Sequence, residues 1–242
     1  VISNNSACRM LNDVPMMVPE INYAHAAVID TQRKRLGTKT GFIAVKPNCS
    51  IQSYVPALTP LYSCGIESVM VSTYQAISGA GKTFTTMPEI LDNVIPYIGG
   101  EEEKCETEPQ KILGRFNGER IIHADFAISA SCHRVPVMDG HTEALWVRMR
   151  DNPTPEEVKK AMLEFNPDLG DLPTLPKKAL IVNDEPDRPQ PRLDRGRGNG
   201  MSVSVGRIRP GIRFICMGHN TVRGAAGASI LNAELLVKKG LL

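Results

Sequence analysis

The side chain best suited to act as a nucleophile in this sequence is Cys49, in the run Lys46-Pro47-Asn48-Cys49-Ser50. It follows a strand-like segment, Phe42 to Val45, and stands just before a helical pattern. A thiol at a helix N-terminus faces unpaired backbone N–H groups and the positive end of the dipole. Both favour thiolate over thiol, so the position predicts a lowered pKa. The same N–H groups can hold an oxyanion. The alternative for a lone cysteine is a small buried hydrophobe. A thiolate nucleophile calls for a base, and His141 follows the turn signal Asp139-Gly140, from which it would project off a hairpin. Its alternative is an exposed turn histidine, while His123 and His133 lie inside a strand candidate and read as ordinary sheet residues. Cys132, His133 and His141 match no zinc spacing, so no metal is expected. Arg134, on the same expected hairpin, can face the same site, where a guanidinium would clamp a carboxylate through two parallel bonds. A solvated strand-end arginine is the other reading. Glu101 and Lys104 are three apart, so in a helix they share one face. They could hold an amino group and an anion, or form a surface pair.

These residues need elements to position them. Ser50 to Cys64 has helical apolar spacing and stops at Gly65, although Pro56 and Pro60 interrupt it. Ile66 to Ile77 is β-branched and partly alternating, a strand that runs into Ser78-Gly79-Ala80-Gly81-Lys82. Residues 83–118 suggest short helices around an acidic stretch. Residues 121–137 and 141–150 are strand candidates separated by Met138-Asp139-Gly140 and are expected to pair as a hairpin. Thr154 and Pro155 open a helix that runs to about Phe165, as N-cap and first helical residue. Asn183 to Gly200 reads as a long loop. Residues 201–208 and 213–218 read as strands that can pair as a hairpin, and Thr221 to Lys239 as a helix with Lys238 and Lys239 at its C-terminal end. Residues 1–48 suggest short strands and connections. Strands dominate the middle without regular alternation with helices, which predicts an α+β fold with a mixed, largely antiparallel sheet.

Lys plus Arg is 28 and Asp plus Glu is 26, a formal charge of +2. This near-balance gives no electrostatic footprint for nucleic acid. No apolar run is long enough to cross a bilayer, and the first residues lack the pattern of a signal peptide. The six cysteines form no CxxC pair, and a reducing, cytoplasmic setting is expected. The segment Ser78 to Lys82 is shorter than a phosphate-binding loop, and no Gly-rich dinucleotide fingerprint is present.

The stretches SNNSACRM, DVPMMVPEIN, KPNCS, TYQAISGAGK, EEEK, KIL, CHRVPVMDGHTE, GMSVSVGRIR and HNTVRGAAG occur in an order that resembles aspartate-semialdehyde dehydrogenases, along the whole chain. The form of RVPVMDGHTE and the loop DRPQPRLD are similar to the archaeal and fungal branch. The resemblance implies NADPH-dependent reductive dephosphorylation of L-aspartyl 4-phosphate to L-aspartate 4-semialdehyde, on the route to lysine, threonine and methionine. The implied course is displacement of phosphate by the thiolate, hydride reduction of the resulting thioester, and collapse of a thiohemiacetal.

The implied roles are Cys49 as nucleophile, His141 as acid/base and Gln75 as a residue that orients the intermediate. Arg134 would clamp the substrate α-carboxylate and Glu101 would meet its amine. Lys104 and Arg9 would bind phosphate, and Asn48 would belong to the substrate site. Ser78, Gly79 and Asn220 would line the NADP site. The family's GxTGxVG segment is expected before residue 1. Residues 1–48 would then be the edge of a Rossmann-type cofactor domain, 49–217 the catalytic and dimerisation domain, and 218–242 a helix packing on the cofactor domain. A homodimer or larger assembly is implied. The rival readings are a related acyl-phosphate or acyl-CoA reductase, and an inactive isolated dimerisation core.

Overall fold

The computed structural model describes residues 1–242. In chain order the elements are β1 (Ile2–Ser3), α1 (Pro19–Asn22), α2 (Ile29–Leu36), β2 (Ala44–Val45), α3 (Ile51–Leu58), β3 (Ile66–Gln75), α4 (Glu101–Ile112), β4 (Arg115–Phe116), β5 (Ile121–Ile122), β6 (Ala127–Arg134), β7 (His141–Met149), α5 (Pro155–Glu164), β8 (Leu180–Val182), α6 (Pro191–Asp194), β9 (Val203–Arg209), β10 (Arg213–Gly218) and α7 (Gly227–Lys238). Six strands form one sheet in the order β6-β3-β7-β10-β9-β8. β3 and β6 run parallel, as do β8 and β9, and the remaining neighbours are antiparallel. The sheet is therefore mixed and the fold α+β, as the strand-rich middle of the chain implies.

Period-two alternation sends one row of side chains from each strand under the helices. The register aligns Cys132, Thr73, Glu143 and Cys216 across four neighbouring strands, and all four are fully buried. α3 packs on β7, β9 and β10, α4 on β6, and α5 on β8 and β9. α3 is buried at every position, including Tyr54, Val55 and Leu58. Pro56 lies inside the helix and removes one backbone donor, the Thr59 N–H still bonds the Val55 carbonyl, and the chain continues as a 3₁₀ turn to Gly65, whose φ of 72° closes the segment. On the other face of the sheet Met70 (58%), Tyr74 (40%) and Trp146 (39%) are solvent-exposed. An exposed apolar sheet face of this kind marks an interaction surface. No helix is long and apolar enough to cross a membrane.

α5 begins as expected. Thr154 accepts from the Glu157 N–H, and the Glu157 carboxylate accepts from the Thr154 N–H, a complete capping box. β9 and β10 pair as neighbours. Three expectations need correction. The strands β6 and β7 are not a hairpin, because β3 lies between them. The connection 135–140 runs across the end of β3, where Val135 N–H donates to Gln75 and Ile77 N–H to Val137. Six residues reach across two strand spacings, whereas a two-residue turn joins only adjacent strands. Residues 19–36 are largely helical, since Pro19 starts α1 and a 3₁₀ turn leads into α2, which ends at Gly37 with φ 65°. The only strands before Cys49 are the short parallel pair β1 and β2. Finally, residues 183–200 are an ordered strap rather than a bare loop. Asp194, 1% exposed, binds Arg188, Arg197 and the Gln190 N–H, and α6 forms within the strap.

Candidate active site

One edge of the sheet collects the chemistry. The parallel strands β3 and β6 end there with Gln75 and Arg134, which are register partners. β7 runs antiparallel and begins there with His141, opposite Gly218 at the end of β10. The N-terminus of α3 lies over Gly218, whose missing Cβ would come within 2.6 Å of Ser53 Oγ. This contact sets Cys49, two residues before α3, above His141. The Cys49 sulfur lies 3.3 Å from His141 Nε2.

The other ring nitrogen, Nδ1, accepts the Ala76 N–H at 3.0 Å. A backbone N–H can only donate, so the neutral ring carries its proton on Nε2 and aims it at the sulfur. His141 is fully buried, not an exposed turn residue. Burial first, then the positive charge of Arg134, push its pKa down to about 3. The ring is therefore neutral at physiological pH and acts as a donor toward sulfur. The Ala76 carbonyl accepts Arg134 Nη1 at 2.7 Å, so one backbone unit orients both the imidazole and the guanidinium. Sequence reasoning had no signal for Ala76, because its contribution is entirely main-chain.

The expected lowering of the Cys49 thiol does not hold. Burial pushes it up, Glu101 adds to the rise, and Lys46 with the Ser50 N–H opposes them. The helix N-terminus acts in the predicted direction, but desolvation of the charged form is larger here.

Glu101 is the hub of one side of the site. Its carboxylate accepts from Asn48 Nδ2 at 3.0 and 2.9 Å, from Lys104 Nζ at 2.8 Å and from Gln75 Nε2 at 3.3 Å. Burial raises its pKa, but Lys104, Asn48 and Gln75 together outweigh that and hold it below the ordinary value. Glu101 and Lys104 are thus an ion pair that lies in the site. Asn48 also accepts the Ser50 N–H on Oδ1 at 2.9 Å, a local turn that shapes the Cys49 backbone. Arg9 is 6% exposed and donates to Glu108 at 2.9 Å and to the Asn4 carbonyl at 2.8 Å. The second Glu108 oxygen accepts the Asn48 N–H at 2.7 Å. Glu108 therefore joins Arg9 to the turn that carries Cys49. It was missed in the sequence, although Glu101, Lys104 and Glu108 share a helix face at spacings of three and four.

Ser78, Gly79 and Asn220 form the opposite wall. Asn220 accepts the Gly140 N–H at 2.8 Å and donates to Ser78 Oγ at 2.8 Å. A Cβ on Gly79 would stand 2.9 Å from Arg134 Nη1 and 3.0 Å from His141 Cε1. Only glycine lets the loop lie flush against these side chains. Such a flat polar wall, with glycine at its centre, fits a planar amide-bearing ring such as nicotinamide.

Cys105 and Cys132 are buried, with sulfurs 3.9 Å apart, and all six cysteines are free. His123 and His133 stay outside the Cys49 cluster, His133 stacking on Tyr74.

A family model described as semialdehyde dehydrogenase, dimerisation domain, matches residues 58–223. An aspartate-semialdehyde dehydrogenase of Archaeoglobus fulgidus is 54% identical, over 100% of this chain and 71% of the relative. One of Aspergillus fumigatus is 45% identical, over 100% of this chain and 71% of the relative. Among solved structures, aspartate-semialdehyde dehydrogenase of Candida albicans with NADP superposes with a TM-score of 0.87 at 41% identity, covering 100% of this chain and 72% of that one. The Vibrio cholerae enzyme II complexed with ASA gives 0.78 at 28% identity, covering 98% and 72%. A chain with this sheet and a cysteine–histidine pair at its edge falls in the semialdehyde dehydrogenase class. Within that class, it belongs to the aspartate-semialdehyde dehydrogenase family.

Proposed function

We infer that the enzyme carries out the NADPH-dependent reductive dephosphorylation of L-aspartyl 4-phosphate to L-aspartate 4-semialdehyde and phosphate. The observation that carries the reading is the 3.3 Å contact between Cys49 Sγ and a His141 Nε2 held as a donor, beside a buried arginine and a Glu101–Lys104 pair. In the proposed course Cys49 Sγ bonds to the acyl carbon, and the carbon–oxygen bond to phosphate breaks. Phosphate departs toward Lys104 and Arg9, whose positive charge offsets the charge developing on it. The acyl group stays on sulfur with its α-carboxylate on Arg134 and its amine near Glu101, while Gln75 and Asn48 hold Glu101 in place. Ser78, Gly79 and Asn220 would hold the nicotinamide of NADPH, which would supply the hydride. His141 Nε2–H stabilises the sulfur as it leaves the carbon, so the aldehyde is released and the nucleophile restored.

Residues 49–217 form the catalytic and dimerisation unit in this reading, and the exposed sheet face of Met70, Tyr74 and Trp146 is the surface that a second copy covers. The edge of the cofactor domain is residues 1–48 with 218–242. In support, Met17, Ala26, Ile29, Phe42, Ala44 and Leu236 build a small core separate from the main one, and β1 pairs with β2 in parallel. Six free cysteines suit a reducing cytoplasm. The test is Cys49→Ser. Loss of turnover with an unchanged circular dichroism spectrum and unchanged NADP affinity is expected. Wild-type turnover in this variant removes Cys49 from the mechanism.

A further inference from the structure

A buried lysine beside the nucleophile has no place in the mechanism above. Lys46 is 2% exposed. Its Nζ donates to the Pro47 carbonyl at 2.8 Å and to the Gly224 carbonyl, and it pairs with no carboxylate. Gly224 in turn abuts the nucleophile, for a Cβ there would stand 2.7 Å from Cys49 Cβ and 3.0 Å from its Cα. Lys46 therefore grips the Val222–Ala226 turn where that turn touches Cys49. A buried ammonium bonded only to carbonyl dipoles lacks a counter-charge.

The groups facing Cys49 leave one way to supply it. From α4, Glu101 is held by Lys104, Asn48 and Gln75, and Glu108 by Arg9 and the Asn48 N–H. From β7, burial pushes the Glu143 carboxyl well above the ordinary carboxylate range, disfavouring its charged form, and His141 is neutral. From β6, Arg134 is a second cation, and the N-terminal segment adds Arg9. His141 already carries its proton on Nε2, and the Ala76 N–H occupies its other nitrogen. In this tautomer Nε2 donates toward the sulfur, so the ring hydrogen-bonds a thiolate without supplying a positive charge.

We propose that Lys46 is a positioning residue for the reaction, whose ammonium stabilises Cys49 as thiolate and fastens the Val222–Ala226 turn against it. The thiol loses its proton to solvent, and the sulfur then carries the charge that pairs with the ammonium. The opposing pulls agree. Burial draws Lys46 down to about 8, and the Cys49 charge is the largest influence raising it again. Among the influences on Cys49, Lys46 is the largest that lowers.

This inference rests on Cys49 as nucleophile, but its test does not use turnover. Alkylation of Cys49 by iodoacetamide, read by peptide mass spectrometry from pH 5 to 10, gives the thiol midpoint in the wild type and in Lys46→Met. A rise of about one unit is expected, which is about a tenfold loss of thiolate at neutral pH. The coupling is reciprocal. Lys46, followed by NMR of its labelled ε-carbon, should therefore titrate about one unit lower in Cys49→Ser than in the wild type. An unmoved Cys49 midpoint in folded Lys46→Met overturns the proposal. If that variant fails to fold, an unmoved Lys46 midpoint in Cys49→Ser overturns it alone. Loss of turnover in Cys49→Ser with both midpoints unmoved keeps the nucleophile and discards the role of Lys46.

Discussion

Gly79→Ala probes the geometry of the catalytic edge without removing a functional group. The new Cβ would stand 2.9 Å from Arg134 Nη1, 3.0 Å from His141 Cε1 and 3.2 Å from His141 Nε2. Ordinary contacts begin near 3.4 Å, so each group must retreat by about half an ångström. Neither retreats freely, because Arg134 Nη1 is tied to the Ala76 carbonyl and His141 Nδ1 to the Ala76 N–H. A misplacement of about 1 Å at the reacting centre costs on the order of a hundredfold in rate. Half of that displacement should cost about tenfold. The assay is kcat for semialdehyde oxidation at saturating NADP, followed by NADPH absorbance, so that a weaker cofactor KM does not count as loss of alignment. Gly196→Ala is the control. Its φ of −84° suits any residue, and its Cβ meets nothing within 4 Å. It should match the wild type. Gly79→Ala with kcat within a factor of about two of wild type would refute the argument that Ala76 holds these two side chains in a fixed geometry.

Arg134→Lys keeps a positive charge but loses the planar fork, and kcat/KM should fall on the order of a hundredfold, while the Cys49 alkylation rate stays within about threefold of wild type. A near-normal kcat/KM would remove Arg134 as the carboxylate clamp. Glu143 is fully buried, and burial raises its carboxyl well above the ordinary value. The unfolded chain ionises near pH 4.5 while the folded chain stays protonated. The folded state therefore binds the extra proton, and stability is lost as pH rises above about 4.5 until the folded carboxyl itself ionises. Glu143→Gln should thus gain Tm over wild type at pH 8 relative to pH 4, by the equivalent of more than about 1 kcal/mol; a pH-independent difference contradicts this. Arg223 and Glu20 form an ion pair with both side chains almost wholly buried, so Arg223→Met strands a carboxylate and should cost about 3–5 kcal/mol. Urea unfolding measures it, and a cost below about 1 kcal/mol would mean that the pair is not desolvated.

What could be read without coordinates was local. The Thr154 capping box, the stop at Gly65, the alternation of β3 and the pairing of β9 with β10 each follow from residues adjacent in sequence or joined by a short turn. The same holds for Cys49, which is singled out by its place before α3. The hairpin of β6 and β7 failed because the choice of neighbour is not local. β3 enters between them, a long-range pairing that a local turn signal does not carry. Residues 19–36 failed because two short helices separated by a 3₁₀ turn leave too little uninterrupted period to read.

The catalytic edge divides in the same way. Residue types and motif order were enough to nominate Cys49, His141, Gln75, Arg134, Glu101, Lys104, Arg9, Asn48, Ser78, Gly79 and Asn220. Their protonation was not legible. The direction of the Cys49 shift depends on how much water the fold removes, and the tautomer of His141 depends on a single N–H of Ala76, distant in sequence and without a side-chain signature. The buried partners Lys46, Glu108 and Glu143 were equally silent, since a charged residue in a sequence reads as surface until the fold encloses it. The chain's sequence by itself determined which groups are available for acyl transfer and which local elements carry them. The tertiary structure decided which strands meet, which charges lose their water and which nitrogen of the histidine holds the proton, because desolvation and long-range pairing are properties of the assembled core.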